Sequence, residues 1–223
     1  AVSYVKLLPN GHVDMEHLEQ LLAQSEDKTL VTLMHANNEI GNILDIQAVG
    51  ELCKLYGAIF HSDTVQTVGH FPFDLRKTPV HFITGAGHKF HGPKGVGGLL
   101  VKKGNEFSPF GIVEGQERGR RGGTLNVLGI RGMYHSLKHL STLGKDVVSQ
   151  LVLKRDLFEK LIFTEIDDVK QIGDIDARLP QISNLYFKGI YSEVLLESFT
   201  DVAASNGSAC NSANVLPSHV LMA

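Results

Sequence analysis

Val80-His81-Phe82-Ile83-Thr84-Gly85-Ala86-Gly87-His88-Lys89-Phe90-His91-Gly92-Pro93-Lys94-Gly95 runs from an apolar stretch straight into a glycine-rich loop with a histidine and a lysine side by side. Residues 80–84 read as a buried strand, and the small residues that follow let a flat ligand approach the backbone. A desolvated amine at such a strand end is well placed to condense with an aldehyde, as a Schiff-base lysine does. Two plainer readings of Lys89 stay open on context alone: a cation covering the strand end, or a phosphate contact. A Walker-type phosphate loop fails in detail. Pro93 separates Gly92 from Lys94, and Gly95 stands where a Ser or Thr would bind magnesium.

Outward from this stretch, strand and helix patterns alternate. Residues 3–8, 29–34, 58–62 and 80–84 read as strands, and 97–102 as a strand returning antiparallel. Residues 15–24 and 46–56 read as helices, the first capped by Asp14 and the second closed by Gly57. The rhythm predicts an α/β fold, a mostly parallel sheet with helices on both faces. Sites in such sheets lie beyond the carboxyl ends of the strands. His35-Ala36-Asn37-Asn38, Asp63-Thr64-Val65-Gln66 and Gly87-His88-Lys89 all fall there. After Thr124 the character changes. Two helices are expected over 125–143 and 145–163, then a polar stretch over 164–178, a strand over 181–187, a helix over 192–199 and a short strand over 202–204. A boundary near Gly144 divides a large domain, 1–144, from a smaller α+β domain, 145–223.

Of the 223 residues, 43% are hydrophobic and 20% charged, an ordinary globular composition. A net charge of -3 and a pI near 6.4 give no reason to expect nucleic acid or an anionic membrane. No apolar run reaches the roughly 18 residues of a membrane span. No basic segment leading into an apolar core opens the chain, so a secretory leader is not expected. The two cysteines do not make a disulfide framework, and a reducing compartment is expected, the cytoplasm with mitochondria left open. Cys53 sits in a helical pattern and reads as a small buried hydrophobe. Both ends fall inside elements, which predicts the middle of a longer protein.

Asp63 reads as a helix cap or as the carboxylate that pairs with a pyridinium nitrogen, keeping a ring able to accept electrons. Gln66, three residues on, shares its face and can reach a ring hydroxyl. Cys210 lies in Gly207-Ser208-Ala209-Cys210-Asn211-Ser212-Ala213, too small and polar to pack a core, so it reads as a nucleophilic thiol on a flexible loop. Lys89 and Cys210 together suggest pyridoxal-phosphate chemistry with a mobile thiol. Glu117-Arg118-Gly119-Arg120-Arg121-Gly122-Gly123-Thr124 reads as a solvated charge run or an anion site entering a helix. The eleven histidines do not make a metal set: no His-x-x-x-His spacing accompanies an acid.

Five stretches, in order, carry a family likeness: residues 35–41, 60–69, 87–95, 116–124 and 207–213. With them the chain resembles the cysteine desulfurases, pyridoxal-phosphate enzymes of the NifS/IscS type with fold type I. The resemblance implies that Lys89 holds the cofactor and shuttles protons, and that Asp63 pairs with the ring nitrogen. Gln66 and Asn38 would lie near the ring oxygen, and His88 against the phosphate. Thr124 would reach the phosphate of the partner subunit, which implies a homodimer. Cys210 would take the sulfur of L-cysteine as a persulfide, release L-alanine, and pass the sulfur to an acceptor such as an iron–sulfur scaffold protein.

Three departures bear on that expectation. Where the family commonly has a serine two residues before the histidine, this chain has Ala86, removing a phosphate contact of ~1.5–3 kcal/mol. The family's N-terminal phosphate loop and ring-stacking histidine, and its C-terminal carboxylate-binding arginine, match nothing in these residues. Weak or no desulfurase activity is therefore expected of the 223 residues alone. Selenocysteine lyase, an aminotransferase without need of Cys210, and an inactive homologue acting as a dimerising or sulfur-accepting partner stand as alternatives.

Overall fold

The computed structural model describes residues 1–71, 73–109, 115–202 and 218–222. Its contacts divide the chain into two units. One comprises Leu22–His35 and Asp45–Gly144; the other comprises Ala1–Leu21, Ala36–Leu44 and Lys145–Ala223. Residues 1–21 and 36–44 group with 145–223 and not with 45–144.

The first unit is built on a four-stranded sheet, β1 (Leu30–Met34), β2 (Ile59–Asp63), β3 (Phe82–Ala86) and β4 (Gly97–Val101), in that spatial order. β1, β2 and β3 run parallel and β4 returns antiparallel, as the sequence pattern predicts. Alternation along the strands buries Val31, Phe60, Ser62 and Ile83, with Val31 paired to Phe60 and Ser62 to Ile83. The other set, Leu30, Met34, Ile59 and Leu99, is exposed. α1 (Met15–Ala23) precedes β1, and α2 (Ile46–Leu55) packs against β2. Asp14 caps α1 by accepting the His17 amide at 3.0 Å. Asp45 caps α2 through the amides of Gln47 and Ala48 at 3.1 and 2.9 Å. Val49, Gly50 and Cys53 form the buried stripe of α2. At Gly50 a side chain is excluded, because a Cβ would lie 2.4 Å from the Pro79 carbonyl oxygen.

β3 starts two residues later than its apolar run. The His81 amide donates to Phe60 O and the His81 ring accepts the Phe60 amide, both at 2.9 Å, so this side chain replaces one rung of the ladder. The strand expected over 3–8 does not form. Leu7 makes an isolated bridge to Val13 around a turn, and Val2 and Tyr4 are exposed with no described strand to pair with. The two helices expected over 125–143 and 145–163 are one, α3 (Val127–Glu165). A lone Gly144 costs about 1 kcal/mol of helix propensity, which continuous helical bonding on both sides outweighs. Ser141 and Thr142 turn their hydroxyls back onto the carbonyls of Lys138 and His139, so neither competes for the chain.

In the second unit, β5 (Val169–Gln171) and β6 (Leu185–Phe187) pair antiparallel. β6 is shorter than the strand expected over 181–187. The Ile182 amide bonds back to Leu179 O, and the pairing with the β5 side begins only where Asn184 O accepts the Ile172 amide at 2.9 Å. α4 (Ser192–Glu197) stops two residues before the predicted end, and α5 (His219–Met222) follows. Val202 is not in a strand, and the remainder of the stretch over 202–204 lies outside the described residues. Leu18, Ala36, Ile40, Leu44 and Leu179 supply the apolar core of this unit. Its polar centre is the Arg178–Glu159 pair, bidentate at 2.6 and 2.7 Å with both side chains buried. Asn42 ties three segments, donating to Asn10 O at 2.7 Å and accepting from the Asp174 amide at 2.8 Å.

Candidate active site

The carboxyl edge of β1, β2 and β3 gathers the polar residues that the sequence places there. Asp63 ends β2 and is half-buried, in register with Thr84 of β3. Its Oδ1 accepts the Val65 amide at 2.9 Å and so starts a tight turn. Thr64 O closes that turn by accepting the Thr67 and Val68 amides at 2.9 and 2.8 Å, with Gln66 half-buried inside it. One carboxylate oxygen holding a turn leaves Asp63 acceptor capacity for a ring N–H. Both sequence readings of Asp63, the cap and the ring partner, are compatible with this geometry.

β3 runs directly into a single 3-10 turn, Gly87–Phe90, carrying His88 and Lys89. Residues three apart eclipse in such a turn, so Gly87 and Phe90 share the buried side while His88 and Lys89 face outward and are exposed. The sequence reading of Lys89 as a desolvated amine is thus corrected for these residues, the turn itself being what points it to solvent. The backbone beneath it is pinned. Gly87 N donates to Val96 O at 2.9 Å, Gly92 N to Gly87 O at 2.8 Å, and His91 closes the turn in a left-handed conformation at φ 65°. The His70 ring nitrogen Nε2 meets Lys89 O at 3.2 Å, and Ser136 Oγ donates to His91 O at 3.1 Å.

Asp63, Gln66, His88 and Lys89 are therefore carried on the ends of two hydrogen-bonded parallel strands. Thr124 is exposed in the same unit, three residues before α3. Asn38 lies in the other unit, exposed on a turn whose Glu39 and Ile40 amides are held by Asn37 Oδ1 at 2.8 and 3.0 Å. Cys210 lies outside the described residues.

Two histidines that the sequence places near this edge, His61 and His35, make contacts that it does not announce. The His61 ring bridges Thr32 and Thr84, with Nδ1 2.7 Å from Thr32 Oγ1 and Nε2 3.4 Å from Thr84 Oγ1. Burial lowers its proton affinity, while nearby Asp63 raises it. His35, just past β1, is buried, which lowers its proton affinity, and its Nδ1 lies 2.9 Å from Thr67 Oγ1. A single histidine after a strand is a weak sequence signal, and only the packing shows what these rings touch.

The donor set fits pyridoxal phosphate. An amine, a carboxylate, an amide and an imidazole stand on adjacent strand ends above a glycine turn. Residues 1–223 match the aminotransferase class-V family. The chain is 40% identical over 228 residues to a cysteine desulfurase of Nostoc sp., and 38% identical to a putative cysteine desulfurase IscS 1 of Bacillus subtilis. Each match covers all of this chain but 56% and 59% of the relative, so the chain spans little more than half their length. Among solved structures, a NifS-like protein from Rickettsia africae superposes with a TM-score of 0.79 at 34% identity, covering 86% of this chain and 54% of that one. SspA in complex with cysteine superposes with a TM-score of 0.81 at 27% identity, covering 99% and 60%. With a mixed α/β sheet of this topology and a match along its whole length, the chain belongs to the aminotransferase class-V family.

Proposed function

We propose that the protein carrying this chain is a pyridoxal-phosphate-dependent cysteine desulfurase, converting L-cysteine to L-alanine and holding the sulfur as a persulfide on Cys210. The observation that carries this reading is the placement of Asp63 and Lys89 on the ends of adjacent parallel strands, β2 and β3. The similarity to enzymes named cysteine desulfurase supports it.

When bound, the cofactor supplies an electron sink for the substrate α-carbon. Asp63 keeps a carboxylate beside the ring nitrogen, anchored by its own turn. Gln66 would orient the ring oxygen from the same turn. Lys89 would provide the amine for the cofactor aldehyde and a carrier for protons at the substrate α-carbon. His88 would contact the phosphate, and Thr124 would reach that of a partner subunit in a homodimer. Cys210 must act as a thiolate, although an ordinary thiol titrates near ~8.5. The sulfur then passes to an acceptor protein, of the kind that builds iron–sulfur clusters.

The test is a visible absorbance spectrum after adding pyridoxal phosphate to wild type and Lys89→Ala, followed by alanine release from L-cysteine. Wild type is expected to show a band that the variant lacks. Cys210→Ala is expected to keep the band and lose persulfide formation. A band with sulfur release that survives Cys210→Ala would exclude this reading. Faster turnover of selenocysteine than of cysteine would move the assignment to selenocysteine lyase.

A further inference from the structure

We propose that His35 is a positioning residue that locks the turn over residues 63–67 and thereby fixes Asp63 and Gln66 for the cofactor. The inference rests on the cofactor reading above. His35 meets both ends of the turn. Its backbone N–H donates to Asp63 O at 2.8 Å, and its ring Nδ1 lies 2.9 Å from Thr67 Oγ1. Gln66 is the residue directly before that hydroxyl. Thr64 and Thr67 are fully buried, so their polar groups depend on protein partners.

The turn is held from two sides. From β3, the Thr84 carbonyl accepts both the Thr64 amide at 3.1 Å and the Thr64 hydroxyl at 2.7 Å. That acceptor is backbone, and any residue at 84 supplies it. From β1, the tie to Thr67 is a side chain, and its identity matters. The Thr67 hydroxyl also lies 3.2 Å from Thr64 O, so the His35 contact joins a buried chain of polar groups inside the turn. The ring is itself braced, packing edge-on against Phe73 with centroids 5.1 Å apart at 66°. Burial disfavours the charged imidazole, and a neutral ring can hydrogen-bond a hydroxyl without burying a charge. The 63–67 turn that carries the Asp63 carboxylate is thus tied to both neighbouring strands, on the β1 flank through the His35 backbone and ring.

The experiment compares His35→Ala, His35→Asn and Thr67→Val with wild type in two measurements. The first is amide hydrogen exchange without cofactor. The second is the dissociation constant for pyridoxal phosphate read from its absorbance. The asparagine amide stands about where Nδ1 stands and can donate or accept. Thr67→Val removes the hydroxyl while keeping the bulk. We expect His35→Ala and Thr67→Val to speed exchange of the Thr67 and Val68 amides, leaving those of α2 at wild-type rates. We expect each to weaken cofactor binding roughly tenfold, as losing a buried hydrogen bond does. His35→Asn is expected to restore both. Wild-type exchange and affinity in His35→Ala, or an asparagine variant as impaired as alanine, would overturn the proposal. If wild type binds no cofactor, the functional reading fails, and the exchange measurement still decides whether His35 locks the turn.

Discussion

Asp63 and Ala86 show how much one atom decides at this edge. Alternation along β3 puts Phe82, Thr84 and Ala86 on one face, and the pairing of Thr84 with Asp63 makes it the face of the carboxylate. A hydroxyl at position 86 would stand on that face at the start of the Lys89 turn. Ala86→Ser is expected to tighten pyridoxal-phosphate binding about tenfold, since a hydrogen bond to a charged group contributes ~1.5–3 kcal/mol. Equilibrium titration of the cofactor band checks it, and unchanged affinity would mean that the phosphate does not sit by residue 86. Cys53 is the opposite case. It is fully buried, and desolvation pushes its thiol up to about 11. At neutral pH only about one molecule in ten thousand would carry the thiolate there, against several per cent for an ordinary thiol. In a Cys210→Ala background, mass spectrometry is expected to find no alkylation of the native protein by iodoacetamide, and full alkylation once it is unfolded.

At the scale of elements, the seating of α2 on the sheet depends on an absent side chain. A Cβ on Gly50 would meet the Pro79 carbonyl oxygen at 2.4 Å and the proline ring at 2.5 Å. Both are rigid, so the helix must move away and loosen Val49 and Cys53. Gly50→Ala is expected to lower stability by about 1–3 kcal/mol, despite alanine's better helix propensity, because overpacking outweighs the gain. Urea denaturation checks the sign, and a stabilised variant would show that α2 tolerates the shift. Legibility in the sequence divides along the same line. The Asp14 cap and the order of the strands over 29–34, 58–62, 80–84 and 97–102 are local properties, and they form close to where they are read. The failures are places where a partner decides. Residues 3–8 are apolar and β-prone enough for a strand yet find no described strand to pair with, and His81 lends its ring to Phe60 so that β3 begins late.

At the scale of the whole chain, the C-terminal unit is organised around a charge pair that no local pattern announces. Arg178 holds the Glu159 carboxyl below the usual carboxylate range, chiefly by hydrogen bonding, against the opposing effect of burial. A carboxyl depressed by folding contributes its stability above its unfolded value, near ~4.3, and loses it as pH falls through the lower folded value. Glu159→Gln leaves the buried Arg178 unpaired and is expected to cost about 3–5 kcal/mol at pH 7. The gap between wild type and variant should narrow as pH drops below about 4, because wild type then loses the same pair. Urea midpoints measured across pH check this, and a gap that stays constant into acid would mean that the pair does not titrate with folding.

By itself the sequence determined the strand and helix alphabet, the carboxyl-edge location of Asp63, Gln66, His88 and Lys89, and the family likeness. Each is fixed by residue type at short spacing. Only the tertiary structure decided that Lys89 faces solvent, that α3 runs unbroken through Gly144, that Arg178 finds Glu159, and that His35 and Thr84 grip the Asp63 turn from either side. Those outcomes depend on which distant groups share a buried environment. Hydrogen bonds and charges matter most where water is excluded, and exclusion belongs to the packed chain and not to any stretch of it.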